Sequence, residues 1–322
     1  MRFPSTLLAL PVVLGASLAA CGGDDDDRAT LDASTASDAG GLDGGDGLVP
    51  VTLRFKAKVG ADDLACGRSY AAQGSGQVAG KVQDFRLFLQ DVALIAEDGR
   101  TVPVTLDERA PYQTRDLALL DFTDAKDGCV AGDPGSNTVV TGRVPPGRYR
   151  GLRFVNGVPT AINHGDPATA AAPLRMPGVN WNWLQGNRFV IAEMVRAPDA
   201  MDGGVVTATD AGAPSSGGGG HNASSATPGL AIVHVGSTNC GGSTATGFTC
   251  AKPNRNAVAL PGFDPAVNTV VADLGAVFAG TDLDDGLLCH AAGAQCAAPL
   301  SALGIDVATG APLATQQVFR FE

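Results

Sequence analysis

An all-β domain, an antiparallel β-sandwich or barrel-like arrangement with long loops, is the fold class that this 322-residue sequence predicts. Three observations carry that expectation. Short runs of Val, Leu, Ile and Phe alternate with polar residues; Gly, Pro, Asp and Asn clusters separate those runs; and no stretch sustains apolar residues at helical spacing with caps at both ends. The chain has 43 Gly and 20 Pro, the residues that tight turns between short strands demand.

Residues 1–20 read as a lipoprotein signal peptide. Met1-Arg2 is a short basic start, Leu7 to Leu18 is an apolar run too short to span a bilayer, and Leu18-Ala19-Ala20-Cys21 has the form of a bacterial lipobox. Cleavage before Cys21 predicts an acylated cysteine, and two or more acyl chains anchor durably at ~0.8 kcal/mol per buried CH₂. The competing reading is an ordinary secretory signal with a chance cysteine. Gly22 and Gly23 put no inner-membrane retention Asp after Cys21, so the expectation is an outer-membrane or periplasm-facing lipoprotein that touches the membrane through its lipid alone. Residues 21–48 are an acidic disordered tether, almost free of apolar side chains. Eight Asp and one Arg fall in residues 22–48, so the tether carries most of the net charge of −11. From residue 49 onward the balance is 25 acidic against 20 basic, which offers no basic face and argues against nucleic acid.

The β domain is expected over residues 49–322. The strand-like runs are VTLRFKAKVG, KVQDFRLFLQDVALIAEDGRTVPV with a turn at Glu97-Asp98-Gly99-Arg100, and NTVVTGRVPPGRYRGLRFVNGV with a turn at Pro145-Pro146-Gly147. RFVIAEMV, LAIVHVGS, NAVALPGF, NTVVADLGAVF and QQVFRF follow, and LSALGID suits one short helix. Residues 197–228 share the tether's composition and read as a disordered insertion.

With Cys21 lipidated, six cysteines remain: Cys66, Cys129, Cys240, Cys250, Cys289 and Cys296. An even number in an exported chain points to disulfides, with fifteen pairings open. Cys240 with Cys250 and Cys289 with Cys296 are close enough to close local loops, which would leave Cys66 for Cys129. The rival, a thiolate metal site, lacks any Cys-x-x-Cys spacing.

No Gly-x-Ser-x-Gly, Walker loop, dinucleotide fingerprint or His-Glu-x-x-His occurs. The scarce residues are four histidines and two tryptophans. His164 follows a strand in GVPTAINHGD, His234 lies in LAIVHVGSTNC and His290 follows Cys289 in LLCHAAGAQC, whereas His221 sits in GGGGHNAS with nothing to fix it. Each histidine read singly is a satisfied or solvated side chain. Trp181 and Trp183 sit two apart in VNWNWLQGNRF; on residues alone they are an aromatic pair on a half-buried strand.

The ordered series FKAKVGADDLACGRSY, DFRLFLQDVALIAEDG, LALLDFTDAKDGCVAG, GRYRGLRFVNGVPTAINH, NWNWLQGNRFV, IVHVGSTNC, CHAAGAQC and QQVFRF resembles the MbnP-like family, the four-Cys-motif proteins of the metallo-mystery pair system. The resemblance spans most of residues 50–322. It implies an exported copper-binding protein that is not an enzyme, paired with a di-haem cytochrome-peroxidase-like partner of the MbnH type. That partner oxidises a tryptophan of the Trp-x-Trp segment to kynurenine, which joins histidines at the copper. Carried onto this sequence, Trp181 or Trp183 would be modified, His164 and His234 would ligate, and His290 is a third candidate. Imidazole suits either copper oxidation state. The insertion at 197–228, and QGNRF where an aromatic is expected after the Gly, depart from the family pattern. The rival function is a metal-independent cell-surface module that binds carbohydrate or protein through the Trp pair; an enzyme with an unfamiliar site is a third.

Overall fold

Alternation along Val49–Val59 buries Leu53, Phe55, Ala57 and Val59 on one side of the strand, which gives the first sheet its apolar face. The computed structural model describes residues 47–129, 134–182, 184–197 and 226–322. The expected signal peptide, Cys21, the expected tether up to residue 46, Trp183, and residues 198–225 with His221 lie outside the described residues.

In spatial order the first sheet runs Phe319–Phe321, Thr269–Asp273, Val49–Val59, Val139–Val144, Thr105–Leu106, with Asp62–Asp63 folding back on Val49–Val59. The larger sheet runs Asn256–Pro261, Tyr149–Asn156, Val78–Ala96, Val190–Arg196, Leu230–Val235, Leu287–Cys289. Ser69–Gln73, Thr101–Pro103 and Ala118–Asp121 also pair with the long Val78–Ala96 strand. The all-β expectation holds. Most neighbours are antiparallel, but each of these sheets contains one parallel pair: Val49–Val59 with Thr269–Asp273, and Leu230–Val235 with Leu287–Cys289. Both parallel partners arrive through long excursions of the chain, which is what a parallel pairing needs.

Val78–Ala96 is buried almost without interruption because it is covered on both faces. Phe85, Leu87 and Leu89 face the main core with Leu53 and Phe55; Phe88 faces a second cluster with Tyr112, Leu117, Leu174, Met176, Val179, Phe189 and Ile191. Each fully buried Phe or Leu contributes ~1.5–3 kcal/mol. Edge-to-face contacts of Phe154 with Phe55 (6.1 Å) and with Phe319 (5.2 Å) tie the sheets together. The strand bends at Asp91, which has φ +51° where the pairing register shifts between Gln90 and Ala93.

The Glu97–Arg100 turn closes a hairpin between Val78–Ala96 and Thr101–Pro103. Pro145–Gly147 instead carries the chain from one sheet to the other. NTVVADLGAVF is not one strand: Thr269–Asp273 is, but Leu274–Phe278 is a helix, because the Asp273 carboxylate caps it by accepting from Ala276 N. The helix expected in LSALGID spans Ala297–Leu303 and stops at Gly304, φ +81°. The six cysteines form Cys66–Cys129, Cys240–Cys250 and Cys289–Cys296.

Candidate metal centre

The site lies on the face of the larger sheet turned away from the main core. Alternation that sends Phe85, Ala192 and Val233 inward sends Asp84 and Arg86, Ile191 and Glu193, and His234 to the other face. Strand register then sets Glu193 beside Asp84 and Ile191 between Arg86 and His234. The parallel neighbour Leu287–Cys289 ends at the Cys289–Cys296 disulfide, so His290 leaves the sheet from a covalently fixed point.

The His234 and His290 rings stack, with planes within 2° of parallel and centroids 5.5 Å apart. The Trp181 ring is 5.9 Å from that of His290. Trp181 stands on the short Asn180–Asn182 strand, paired with Gly186–Asn187. Asn182 Oδ1 accepts from Leu184 N (3.0 Å) and Gln185 N (2.8 Å), which builds the turn. Gly236, two residues after His234, admits the indole: a Cβ there would stand 2.5 Å from Trp181 Cζ3 and 2.5 Å from Asn187 O. Arg188 lies over the indole at 5.8 Å, a cation–π distance.

Beneath the rings runs a row of buried charge. Arg86 donates to Asp84 from Nε (2.9 Å) and Nη2 (2.5 Å), and from Nη1 to Pro177 O (2.7 Å). Glu193 Oε1 is 2.7 Å from His234 Nε2. Burial pushes the Glu193 carboxyl up from the usual carboxylate range, opposed by the positive fields of Arg188, Arg86 and His290. Burial likewise raises Asp84 against the pull of Arg86, and holds Arg188 below the ordinary guanidinium value.

His164 is buried, but its ring stacks on Phe248 (4.6 Å), and its Nε2 is 3.2 Å from Asn163 Nδ2 and 3.4 Å from Cys250 Sγ. Donor atoms of His164, Cys240 and Cys250 lie within 4.8 Å of one another. Both sulfurs are spent in the Cys240–Cys250 disulfide, so that trio supplies no thiolate. His164 is joined to the Trp181 hairpin through its neighbour: Asn163 Oδ1 accepts from Asn187 N (3.0 Å), and Asn187 Nδ2 donates to Asn163 O (2.8 Å). Of the candidates from sequence, ring contacts thus gather His234, His290 and Trp181; His164 sits by the β-hairpin disulfide, and Trp183 is outside the described residues. Sequence reasoning passed over Glu193, Arg188 and Gly236. The one signal was a lone acid in the apolar run VIAEMV.

The donors fit a metal that takes imidazole. A metal–imidazole bond of about 2 Å, added to about 1.1 Å from nitrogen to ring centre, puts two rings that share an ion roughly 5–6 Å apart, depending on the bond angle. The His234–His290 separation falls in that range.

Fold and site define a β protein with two large sheets and an imidazole–indole cluster on the larger one. The MbnP family profile matches residues 49–295, and the chain belongs to that family. It is similar to the solved MbnP from Methylosinus trichosporium, at 31% identity and a TM-score of 0.68 over 85% of this chain and 98% of that one. These matches make it a methanobactin-system-related protein. No curated protein matches the chain.

Proposed function

We propose that this chain is an exported, lipid-anchored copper-binding protein, itself not an enzyme, whose metal is held by His234 and His290 beside a tryptophan that a di-haem MbnH-type partner oxidises to kynurenine. The observation that carries this reading is the His234–His290 pair, parallel at 5.5 Å, with Trp181 against it. Bound copper would supply an electrophilic or redox centre. The chain's own residues hold two imidazoles in place, His234 buried and His290 half-buried, and keep an oxidisable indole within contact of one of them. Kynurenine carries an amine and a ketone, so oxidation would install a donor where indole has none to spare. His164, which the resemblance makes a ligand with His234, instead supports the Trp181 hairpin through Asn163 in this geometry. Cys21 would carry the lipid, on the side facing the periplasm or at the outer membrane.

Co-expression with the di-haem partner followed by peptide mass spectrometry tests the reading. The peptide holding Trp181 and Trp183 should show the mass change of one carbon lost and one oxygen gained, and the protein should retain one equivalent of copper through desalting. Unmodified tryptophans together with no retained copper would reject it. Trp181 is only half exposed, with its ring against Gly236, His290 and Arg188, which disfavours it as an open platform for sugar.

A further inference from the structure

We infer that Glu193 is a positioning residue that commits His234 to one tautomer, with the proton on Nε2 and the lone pair on Nδ1, so that His234 offers Nδ1 to an ion shared with His290. This deepens the copper reading of the His234–His290 pair and rests on it, but its first consequence is measured on metal-free protein.

Glu193 Oε1 and His234 Nε2 are 2.7 Å apart, a short charge-assisted hydrogen bond. An ionised carboxylate can only accept, so the ring nitrogen that faces it then carries hydrogen. The backbone enforces the meeting. Glu193 lies opposite Ile232 and Ile191 lies opposite His234, so Glu193 is the diagonal neighbour of His234 on one face of the sheet. The Val190–Arg196 strand is paired on both edges, to Val78–Ala96 and to Leu230–Val235, which leaves Glu193 little backbone freedom. Both side chains are largely removed from water, with 17% and 7% of their surface exposed. A carboxylate this far removed from water is costly unless it is engaged, and its short contact is to the imidazole. With Nε2 turned to Glu193, Nδ1 is the ring atom through which His234 can bind. Carboxylate partners of this kind fix ring orientation and raise ligand basicity.

The test uses the mature chain labelled with ¹⁵N-histidine, metal-free, at a pH well above the ordinary imidazole value of about 6.5. Long-range ¹H–¹⁵N correlation reads the His234 tautomer, assigned by its loss in His234→Ala. The parent should show the Nε2–H form. Glu193→Gln should keep it, since the amide oxygen still accepts, whereas Glu193→Ala should give a mixture. Competition against a chromophoric copper chelator should then show binding by Glu193→Ala weakened roughly 10–100-fold and binding by Glu193→Gln weakened less. An Nδ1–H tautomer in the parent would overturn the inference. So would Glu193→Ala with parental tautomer and affinity, or Glu193→Gln as damaging as Ala, which would make the carboxylate itself a ligand. The parent tautomer needs no substitution, so an Ala variant that fails to fold leaves that arm decisive. A parent with Nε2–H that binds no copper would reject the copper reading and sustain the Glu193–His234 assignment.

Discussion

Gly236→Ala perturbs the site through a single methyl group. The built Cβ stands 2.5 Å from Trp181 Cζ3, 3.1 Å from Cη2 and 2.5 Å from Asn187 O. Carbon–carbon contacts are most favourable at about 3.5–4.0 Å, so the indole must retreat by about 1 Å or more. The Asn187 backbone yields less, because its N–H and side chain are both bonded to Asn163. Gly236 has no positive φ, so the backbone itself accepts alanine and the cost is contact alone. Overpacking of this kind typically costs about 1–3 kcal/mol. At ~2–4 °C per kcal/mol for a domain of this size, the melting temperature should fall by roughly 2–12 °C. The retreat also draws Trp181 away from His290, so copper affinity should drop in step, about tenfold for each 1.4 kcal/mol of lost site geometry. The assay is calorimetric melting plus indole emission in a Trp183→Phe background, with Gly241→Ala as control, because nothing lies within 4 Å of a Cβ there. Parental melting and parental Trp181 emission in Gly236→Ala would refute the packing argument.

Other perturbations have equally definite expectations. Replacing Cys66 and Cys129 with Ser frees a 63-residue separation and, by loop entropy, should cost about 4 kcal/mol, against about 3 kcal/mol for the Cys240–Cys250 pair with a separation of 10; reversed order in chemical denaturation would contradict the loop-entropy account. Asp306 is held below the usual carboxylate range, first by the Thr309 backbone N–H and then by its hydroxyl. A depressed folded-state value means its stabilisation is present above the unfolded carboxyl value of about 4 and is lost as pH falls through the folded one. Asp306→Asn should therefore flatten that part of the acid limb, and an unchanged acid limb would count against these hydrogen bonds. Cys21→Ser should move the protein from the membrane fraction to the soluble fraction; retention on the membrane would dismiss the lipobox.

Much of the fold is legible in the sequence because strand alternation, turn chemistry and short cysteine spacings are local signals. Val49–Val59 alternates cleanly, and Cys240 and Cys250 sit directly opposite on one hairpin. Two-sided burial of Val78–Ala96 shows as an apolar run but does not say which elements cover it. The Leu274–Phe278 helix is five residues long, too short for periodicity, and its one cue is the capping Asp273. The parallel pairs depend on how distant segments return. The same holds at the site. His234 and Trp181 are conspicuous as rare residues, but Glu193 beside Asp84, and Glu193 diagonal to His234, follow from register between strands far apart in sequence. His164 sits beside a disulfide and a phenylalanine that no local pattern links to it.

The most direct measurement of the central claim is an anomalous difference map at the copper edge from crystals of the copper-loaded mature protein. One strong peak is predicted between the His234 and His290 rings, on the Nδ1 side of His234 and next to Trp181, and it should vanish in His234→Ala crystals. A peak at His164 and the Cys240–Cys250 disulfide instead, or no ordered copper near His234 and His290 in a protein that retains the metal, would contradict the account.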